Sequence, residues 1–227
     1  ENLLSDIVAN RTSIREFLAK AETTGGPGLT LRRAYGLAAD ENQQTGAELY
    51  WPLPGLSGPT LDLYLDLADS KGGTKVTEVA YGLRLAQRET DVFKRAGHLE
   101  RILLTKEGKP KADSSLVAKA MLTAAPELGP AVSAAREHVS ACRNRMHILR
   151  MVAATEAALL LAARLNHDYE NLKKQRSLLD FEDLIERAAT LLKRDTAGAW
   201  VHYKLDQGID HILVDEAQDT SPVQWSI

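Results

Sequence analysis

The sequence predicts a mainly α-helical protein with a small α/β element near its C-terminal end. Ala and Leu, which favour helix formation, are abundant, and only 5% of the 227 residues are aromatic. Neither Gly nor Pro occurs between Ala131 and Ala197. Ordinary helices average about 11–12 residues, so this span predicts two or three helices. The short, mostly apolar run Ile209–Val214 predicts a strand buried on both faces.

The helical part is interrupted by breaks rich in Gly and Pro. Thr23–Gly28 and Trp51–Pro59 divide an N-terminal region that otherwise carries apolar residues at helical spacing. Further along, the pattern predicts a helix from about Thr77 to Lys94. It also predicts a long helix from about Ala131 through Leu165, with an irregularity over Asn166–Asp168.

A further helix is predicted to begin after Asp180. Asp180 is a suitable N-cap, and Glu182 and Asp183 occupy the first turn, where the helix dipole favours acidic side chains. The residues that follow recur as one apolar stripe, typical of a helix with one apolar face; they are Phe181, Leu184, Ile185, Ala188, Leu191 and Leu192.

The net charge, the cysteine count and the length of the apolar runs exclude some classes of protein. The net charge is −3, so there is no overall basic field, and any contact with DNA has to come from local patches. A single cysteine, Cys142, excludes an internal disulfide and any multi-cysteine metal site, and it fits a reducing, cytoplasmic location. No apolar run approaches the roughly 18 residues that span a bilayer, so we expect no membrane association.

Two adjacent acids, Asp215 and Glu216, follow the predicted strand. Acidic side chains at the carboxyl end of a buried strand lie at the crevice where α/β sheets bind ligands. The first acid can hold Mg²⁺, which prefers oxygen ligands, and the second can orient or deprotonate an attacking water. A helix is then predicted to start with Ser221 as N-cap, Pro222 at N1 and Gln224 completing a capping box.

An acidic pair alone also fits an ordinary turn, but the longer string is far more specific. I-L-V-D-E-A-Q-D-T, residues 212–220, followed by S-P-V-Q, resembles motif II of the UvrD/Rep-like superfamily 1 DNA helicases, whose pattern is D-E-x-Q-D. The resemblance implies that the parent protein uses ATP and Mg²⁺. Asp215 would then bind the metal, Glu216 would be the catalytic base, and Gln218 would couple the γ-phosphate to DNA-facing residues. DEAD-box RNA helicases match less well, because Gln218 stands where their second Asp would be.

Other segments support the same resemblance. Leu178–Ile185 is similar to the L-D-F-x-D-L segment that precedes motif II in this family. Leu103–Pro110 and Trp200–Asp206 resemble the AddA subunits of the AddAB helicase–nucleases. This finer resemblance implies a role in double-strand break repair and a partner that is an AddB-like nuclease subunit.

The resemblance also implies a division into domains. In UvrD-like helicases a mostly helical subdomain, 1B, is inserted into the first RecA-like motor domain, 1A, and contacts DNA near the junction of single strand and duplex. We therefore expect a 1B-like subdomain over residues 1–176 and a partial 1A domain with motif II, the Walker B element, over residues 177–227. The sequence lacks the family's Walker A loop, arginine fingers and second motor domain, begins without Met and stops at Ile227. We expect a piece of a longer protein that is inactive alone.

Basic side chains of the 1B-like part are the candidates for contact with DNA, because phosphate contacts dominate affinity without reading sequence. The best candidates are Lys106, Lys109 and Lys111, which share one loop with a single acid, Glu107. Weaker candidates are Arg143, Arg145, Lys173, Lys174 and Arg176.

Packing roles are expected for four other residues. Cys142 lies in an apolar-leaning helix, so we expect a core residue and not a nucleophile. His211 is expected to pack within the strand. Trp200 and Tyr203 could stack on bases, but packing against a helix is the stronger expectation.

Two functions of other classes remain open from the sequence. The chain could be a helical DNA- or protein-binding module without motor activity, in which the acidic turn is incidental. It could also belong to a different P-loop ATPase with a chance D-E-A-Q, and within the helicases a UvrD/Rep-type protein is the alternative to AddA. A phosphate loop upstream of Glu1 together with helicase motifs downstream of Ile227 would favour the helicase.

Overall fold

The computed structural model describes residues 5–7, 10–192, 200, 203, 204, 211 and 213. These residues are mainly helical, as the sequence predicts. The helices with defined bounds are α1 (Arg11–Glu22), α2 (Pro27–Ala34), α3 (Gln43–Glu48), α4 (Pro59–Lys71), α5 (Thr74–Arg88), α6 (Val92–Leu103), α7 (Asp113–Leu116), α8 (Lys119–Ala124), α9 (Leu128–Arg176) and α10 (Phe181–Leu192).

The chain forms two compact units, Glu1–Ala163 and Arg164–Ile227. The boundary between the units falls within α9, whereas the predicted boundary between the 1B-like and 1A-like parts follows residue 176. Which helicase subdomain each part forms stays a prediction.

The core of the first unit is built from α4 to α8 and the first part of α9, together with the loop before α4. Gly82 is buried where α5 meets α6, and a β-carbon at this position would lie 2.3 Å from Cγ2 of Ile102. The absence of a side chain therefore lets the two helices pack closely. The largest side chains of the core are less than 2% exposed; among them are Tyr50, Tyr64, Leu83, Leu99, Leu103 and Leu116.

The predicted helix from Thr77 to Lys94 is wrong in its bounds, because two helices meet there. α5 ends at Arg88, and Asp91 starts α6 by accepting hydrogen bonds from the backbone N–H groups of Phe93 and Lys94, at 2.9 and 3.1 Å. The side chain of Arg95 donates to the carbonyl of Glu89, just past the end of α5. The N-cap of α6 and the cation of Arg95 at the C-terminal end of α5 thus separate the two helices.

The predicted irregularity over Asn166–Asp168 is also wrong, since α9 continues to Arg176. Side-chain pairs at i and i+4 support the helix there: Arg164 binds Asp168 at 2.9 Å, and Asn171 lies 2.9 Å from His167. The residue after the helix, Ser177, has a φ of +55°, which ends the helical conformation.

In the described part of the chain, the one β-type pairing outside helices is an isolated bridge between Leu104 and Pro110. No helix within these described residues is both long and apolar enough to cross a membrane. The break over Trp51–Pro59 is irregular up to the start of α4, as predicted.

Candidate functional site

Motif II lies outside the described residues. This applies to Asp215, Glu216 and Gln218, whose roles therefore stay predictions. Two described positions of the preceding run, His211 and Leu213, are exposed and not in a strand, so the expected packing role of His211 is not met. A parallel strand becomes buried only when neighbouring strands pair with it, and no sheet is formed by the residues that the structure describes.

The three candidate lysines lie on a tight turn after α6, which we call the lysine turn (residues 104–111). The backbone N–H of Thr105 donates to the carbonyl of Lys109 at 2.7 Å, and the N–H of Gly108 donates back to Thr105 at 2.9 Å. Gly108 has a φ of +83°, a conformation that glycine adopts without strain. The turn therefore has a defined geometry, fixed by its own backbone.

The turn separates the lysines into two kinds. Lys106 and Lys109 are exposed at its tip, and no carboxylate lies within ion-pair distance of either among the described residues. Lys111 faces inward, and its Nζ donates to the carbonyl of Arg101 at 2.7 Å, at the end of α6. Burial lowers the pKa of Lys111, while the charge of Glu78 opposes that shift. The first two lysines are thus free to meet a phosphate, and the third also holds the end of a helix.

A partly buried network of side chains supports the lysine turn. The hydroxyl of Tyr50 donates to Glu100 of α6 at 2.5 Å, and the other carboxylate oxygen of Glu100 lies 3.8 Å from the guanidinium of Arg143 in α9. That guanidinium packs on Gly108, where a β-carbon would lie 2.6 Å from Cζ. Burial, followed by the hydrogen bond to Glu100, raises the pKa of Tyr50 far above its ordinary value. Tyr50 is therefore always a donor in this network.

Beside the lysine turn lies a groove of about 1070 Å³, the α5–α6 groove. Its walls carry Lys75, Glu78 and Tyr81 of α5, and Arg101 and Lys111 on the opposite side. Tyr81 is 62% exposed. The groove thus has three cationic side chains, one carboxylate and one aromatic ring.

Sequence reasoning did not single out Tyr81 or Lys75. One signal was present: Lys75, Glu78 and Tyr81 recur every three residues, which places them on one face of a helix. The predicted helix began too late, at Thr77, to include Lys75. The approach of Lys111 to this face is a long-range feature without any local signal.

Several weaker DNA candidates are already paired within the protein. Arg145 forms a two-pronged ion pair with Glu41, at 2.6 Å from each carboxylate oxygen. Lys173 is 6% exposed, and its ammonium lies 2.7 to 3.0 Å from oxygens of Glu170, Asp180 and Asp183. These partners make Arg145 and Lys173 unsuitable for phosphate. Lys174 and Arg176 are exposed.

The two aspartates of the L-D-F-E-D-L segment, Asp180 and Asp183, have structural roles: they bind Lys173 and cap α10. The backbone N–H of Asp183 donates to the carboxylate of Asp180, and the N–H of Asp180 donates to the carboxylate of Asp183, both at 3.0 Å. This reciprocal cap confirms that α10 begins after Asp180. Burial alone would lower the pKa of Lys173, but hydrogen bonds to the three carboxylates outweigh it and raise that pKa.

Cys142 is confirmed as a core residue, 6% exposed. Its sulfur lies 3.7 Å from the carbonyl of Leu49 and 3.5 Å from Nε2 of His138. Burial raises the pKa of the thiol, so it stays protonated and is a poor nucleophile. Trp200 and Tyr203 are 63% and 61% exposed, which contradicts the expected packing role.

A family model described as the UvrD/REP helicase N-terminal domain matches residues 70–227. Over 60 residues, the chain is 40% identical to the A subunit of an "ATP-dependent helicase/nuclease" in each of two strains of Desulfitobacterium hafniense. This alignment covers 26% of the chain and 4% of each relative, so the chain spans a small part of those proteins. No solved structure matches the chain.

Proposed function

Because the chain belongs to the UvrD/REP helicase N-terminal domain family, we propose that its parent protein is an ATP-dependent DNA helicase of the AddA type. The observation that carries this proposal is the position of the D-E-A-Q-D-T string inside the matched residues 70–227. The relatives, which are named for the A component of a helicase/nuclease, favour the AddA type over a UvrD/Rep-type helicase. Their name also supports a partner that is an AddB-like nuclease subunit.

In this proposal the acids of motif II carry the chemistry. Asp215 offers carboxylate oxygen, the donor that Mg²⁺ prefers, and the metal would neutralise charge on the phosphate oxygens of ATP. Glu216 accepts the proton of the attacking water as its oxygen bonds to the γ-phosphorus and the bond to the β-phosphate oxygen breaks. Gln218 contacts the γ-phosphate and relays its presence to the DNA-facing side.

The 1B-like part supplies contact with DNA in the same proposal. Lys106 and Lys109 are exposed at the tip of a turn with fixed geometry, without an ion-pair partner in the described part of the chain. An ammonium group in this state can neutralise a backbone phosphate and release a counterion. Lys111 adds its charge from the wall of the groove. These contacts would hold the junction of single strand and duplex irrespective of sequence.

The motor assignment is tested with the parent protein carrying Glu216→Gln. We expect DNA-stimulated ATP hydrolysis to fall by at least about a hundredfold, since general base catalysis contributes roughly 10²–10⁴. Binding of a fluorescent ATP analogue should stay within about twofold, because Asp215 is intact. Glu16→Gln, an exposed carboxylate of α1, is the matched control. Retention of normal turnover by Glu216→Gln would exclude this role for the residue.

A further inference from the structure

We propose that the α5–α6 groove binds single-stranded DNA, with its phosphates on Lys75, Arg101 and Lys111 and one unpaired base stacked on Tyr81. The inference deepens the proposed function and rests on it for the choice of DNA as the ligand. It adds a site that is distinct from the exposed tip of the lysine turn and that prefers one strand over a duplex.

The charge of the groove fits a phosphate backbone. Three cationic side chains face one carboxylate, Glu78. Among the described residues, no carboxylate lies within ion-pair distance of Arg101 or Lys75. Arg84, also on α5, shows the contrast, because it is neutralised by Asp69 at 2.5 Å. The groove thus keeps uncompensated positive charge in a concave surface, where a field is focused.

Lys111 is placed to bind an anion. Its ammonium group has three N–H donors, of which one is used on the carbonyl of Arg101. Its position in the groove removes water, and burial accordingly lowers the pKa of Lys111. A phosphate oxygen at this point would replace the lost hydration and favour the charged form.

Stacking on Tyr81 should favour binding of a single strand over a duplex. Tyr81 is 62% exposed and lines the groove together with Gly82 and Ile102. Bases in a duplex are already stacked on their neighbours, so an aromatic ring gains most from a base that has no partner. A cationic groove with an aromatic ring is the arrangement that binds single strands with little sequence preference.

The groove is also continuous with the lysine turn. Lys111 belongs to both, and Lys106 and Lys109 are exposed on the same turn. The volume of about 1070 Å³ lies at the upper end of ligand pockets, which span roughly 300–1,000 Å³. This suits a short stretch of one strand, whose backbone continues past the lysine turn.

The aromatic contact is tested by fluorescence anisotropy with the full 227-residue chain, a labelled oligo-dT of about 12 nucleotides and a duplex of equal length. We expect Tyr81→Ala to weaken binding of the single strand about tenfold, as loss of one stacked base does. Tyr81→Phe should bind within about twofold of the wild type, because the ring is kept. Phe93→Ala, which removes an exposed ring of α6 outside the groove, is the control and should change nothing.

Substitutions of the charged residues of the groove should either weaken or tighten binding of the single strand, depending on the sign of the charge removed. Arg101→Glu should weaken binding of the single strand and reduce the slope of log K against log salt by about 0.7, the value for one phosphate on a single strand. Lys94→Glu, an exposed site of α6 outside the groove, is the matched control. Glu78→Gln should tighten binding about threefold, since it removes the one carboxylate of the groove.

The outcomes separate this inference from the proposed function. If Tyr81→Ala binds the single strand like the wild type, or weakens single strand and duplex equally, the groove proposal is wrong. If Lys106→Glu/Lys109→Glu still weakens DNA binding in that case, the DNA contact of the lysine turn stands. If the wild-type chain binds neither the single strand nor the duplex, the DNA contacts of both the groove and the lysine turn are wrong. The ATPase test of Glu216→Gln does not depend on either contact.

Discussion

The guanidinium of Arg143 lies directly against Gly108, at a distance that leaves no room for a β-carbon on the glycine. Gly108 also has a φ of +83°. We therefore expect Gly108→Ala to destabilise the protein by about 1–3 kcal/mol, the cost of a left-handed conformation for a residue with a side chain. Urea unfolding followed by circular dichroism measures this. The lysine turn should shift as well, with weaker binding of DNA.

Gly97→Ala is the matched control for that substitution. Gly97 lies within α6, and a β-carbon there would meet nothing within 4 Å. Alanine in this helix should stabilise the protein by about 0.5–1 kcal/mol. Equal effects of the two substitutions would contradict the special role of Gly108.

The hydrogen bond from Tyr50 to Glu100 should contribute to stability. Tyr50→Phe removes the donor, leaves a partly buried carboxylate with one partner fewer, and should cost about 1–3 kcal/mol. Tyr81→Phe, which removes an exposed hydroxyl, should stay within about 0.5 kcal/mol of the wild type. Urea unfolding of both variants checks the difference. A Tyr50→Phe protein as stable as the wild type would show that the network is dispensable.

Lys173→Met should destabilise the corner between α9 and α10. The change leaves three carboxylates around an uncharged side chain, and we expect a cost of about 2–3 kcal/mol at pH 7, because these carboxylates keep part of their exposure. Lys174→Met, at an exposed neighbouring position, is the control and should be neutral. Urea unfolding is the measurement.

The cost of Lys173→Met should depend on pH in a defined direction. The hydrogen bond from Lys173 lowers the pKa of Asp183, so this pair stabilises the fold above the ordinary Asp pKa of about 3.9 and is lost as the pH falls through the lower value in the folded state. The variant lacks this stabilisation at every pH. The deficit relative to the wild type should therefore be full at pH 7 and shrink as the pH falls below about 3.9 towards the lower pKa of the folded state, and a deficit independent of pH would contradict this account.

The lysine turn gives a prediction about salt. Lys106→Glu/Lys109→Glu should weaken binding of a DNA junction and lower the salt slope by about 2, one for each lost phosphate contact on a duplex. Lys71→Glu/Lys94→Glu carries the same change of charge at exposed sites outside the turn and the groove. An unchanged slope for the first pair, or an equal decrease for the control, would remove the turn from the interface.

Local signals made part of this structure predictable. The start of α10 follows from Asp180 and Asp183, because capping involves residues only three positions apart. Cys142 was predicted to be buried from the apolar residues around it, and the structure confirms this. Breaks at glycine and proline, such as Trp51–Pro59, are also predictable from local chemistry: proline lacks the backbone N–H that a helix needs, and glycine loses more conformational entropy in a helix than other residues.

Hydrogen bonds that join one helix to the turn or helix beside it explain the rest. The separation of α5 from α6 depends on Arg95 reaching back to the carbonyl of Glu89, and the inward turn of Lys111 depends on the carbonyl of Arg101. The pairing of Lys173 with Asp183 also joins two helices. The spacing of residues in the sequence does not reveal these contacts. It predicts Lys106, Lys109 and Lys111 as one cluster, but it does not predict that two of them are exposed and that Lys111 faces inward.

The most direct test of the central claim is DNA-stimulated ATP hydrolysis by the parent protein with Asp215→Asn/Glu216→Gln, measured beside Lys106→Glu/Lys109→Glu. The account predicts that the first variant loses turnover at saturating DNA. The second should keep the maximal rate and need more DNA to reach half of it. Normal turnover with both acids of motif II neutralised would contradict the claim that this chain belongs to an ATP-driven motor.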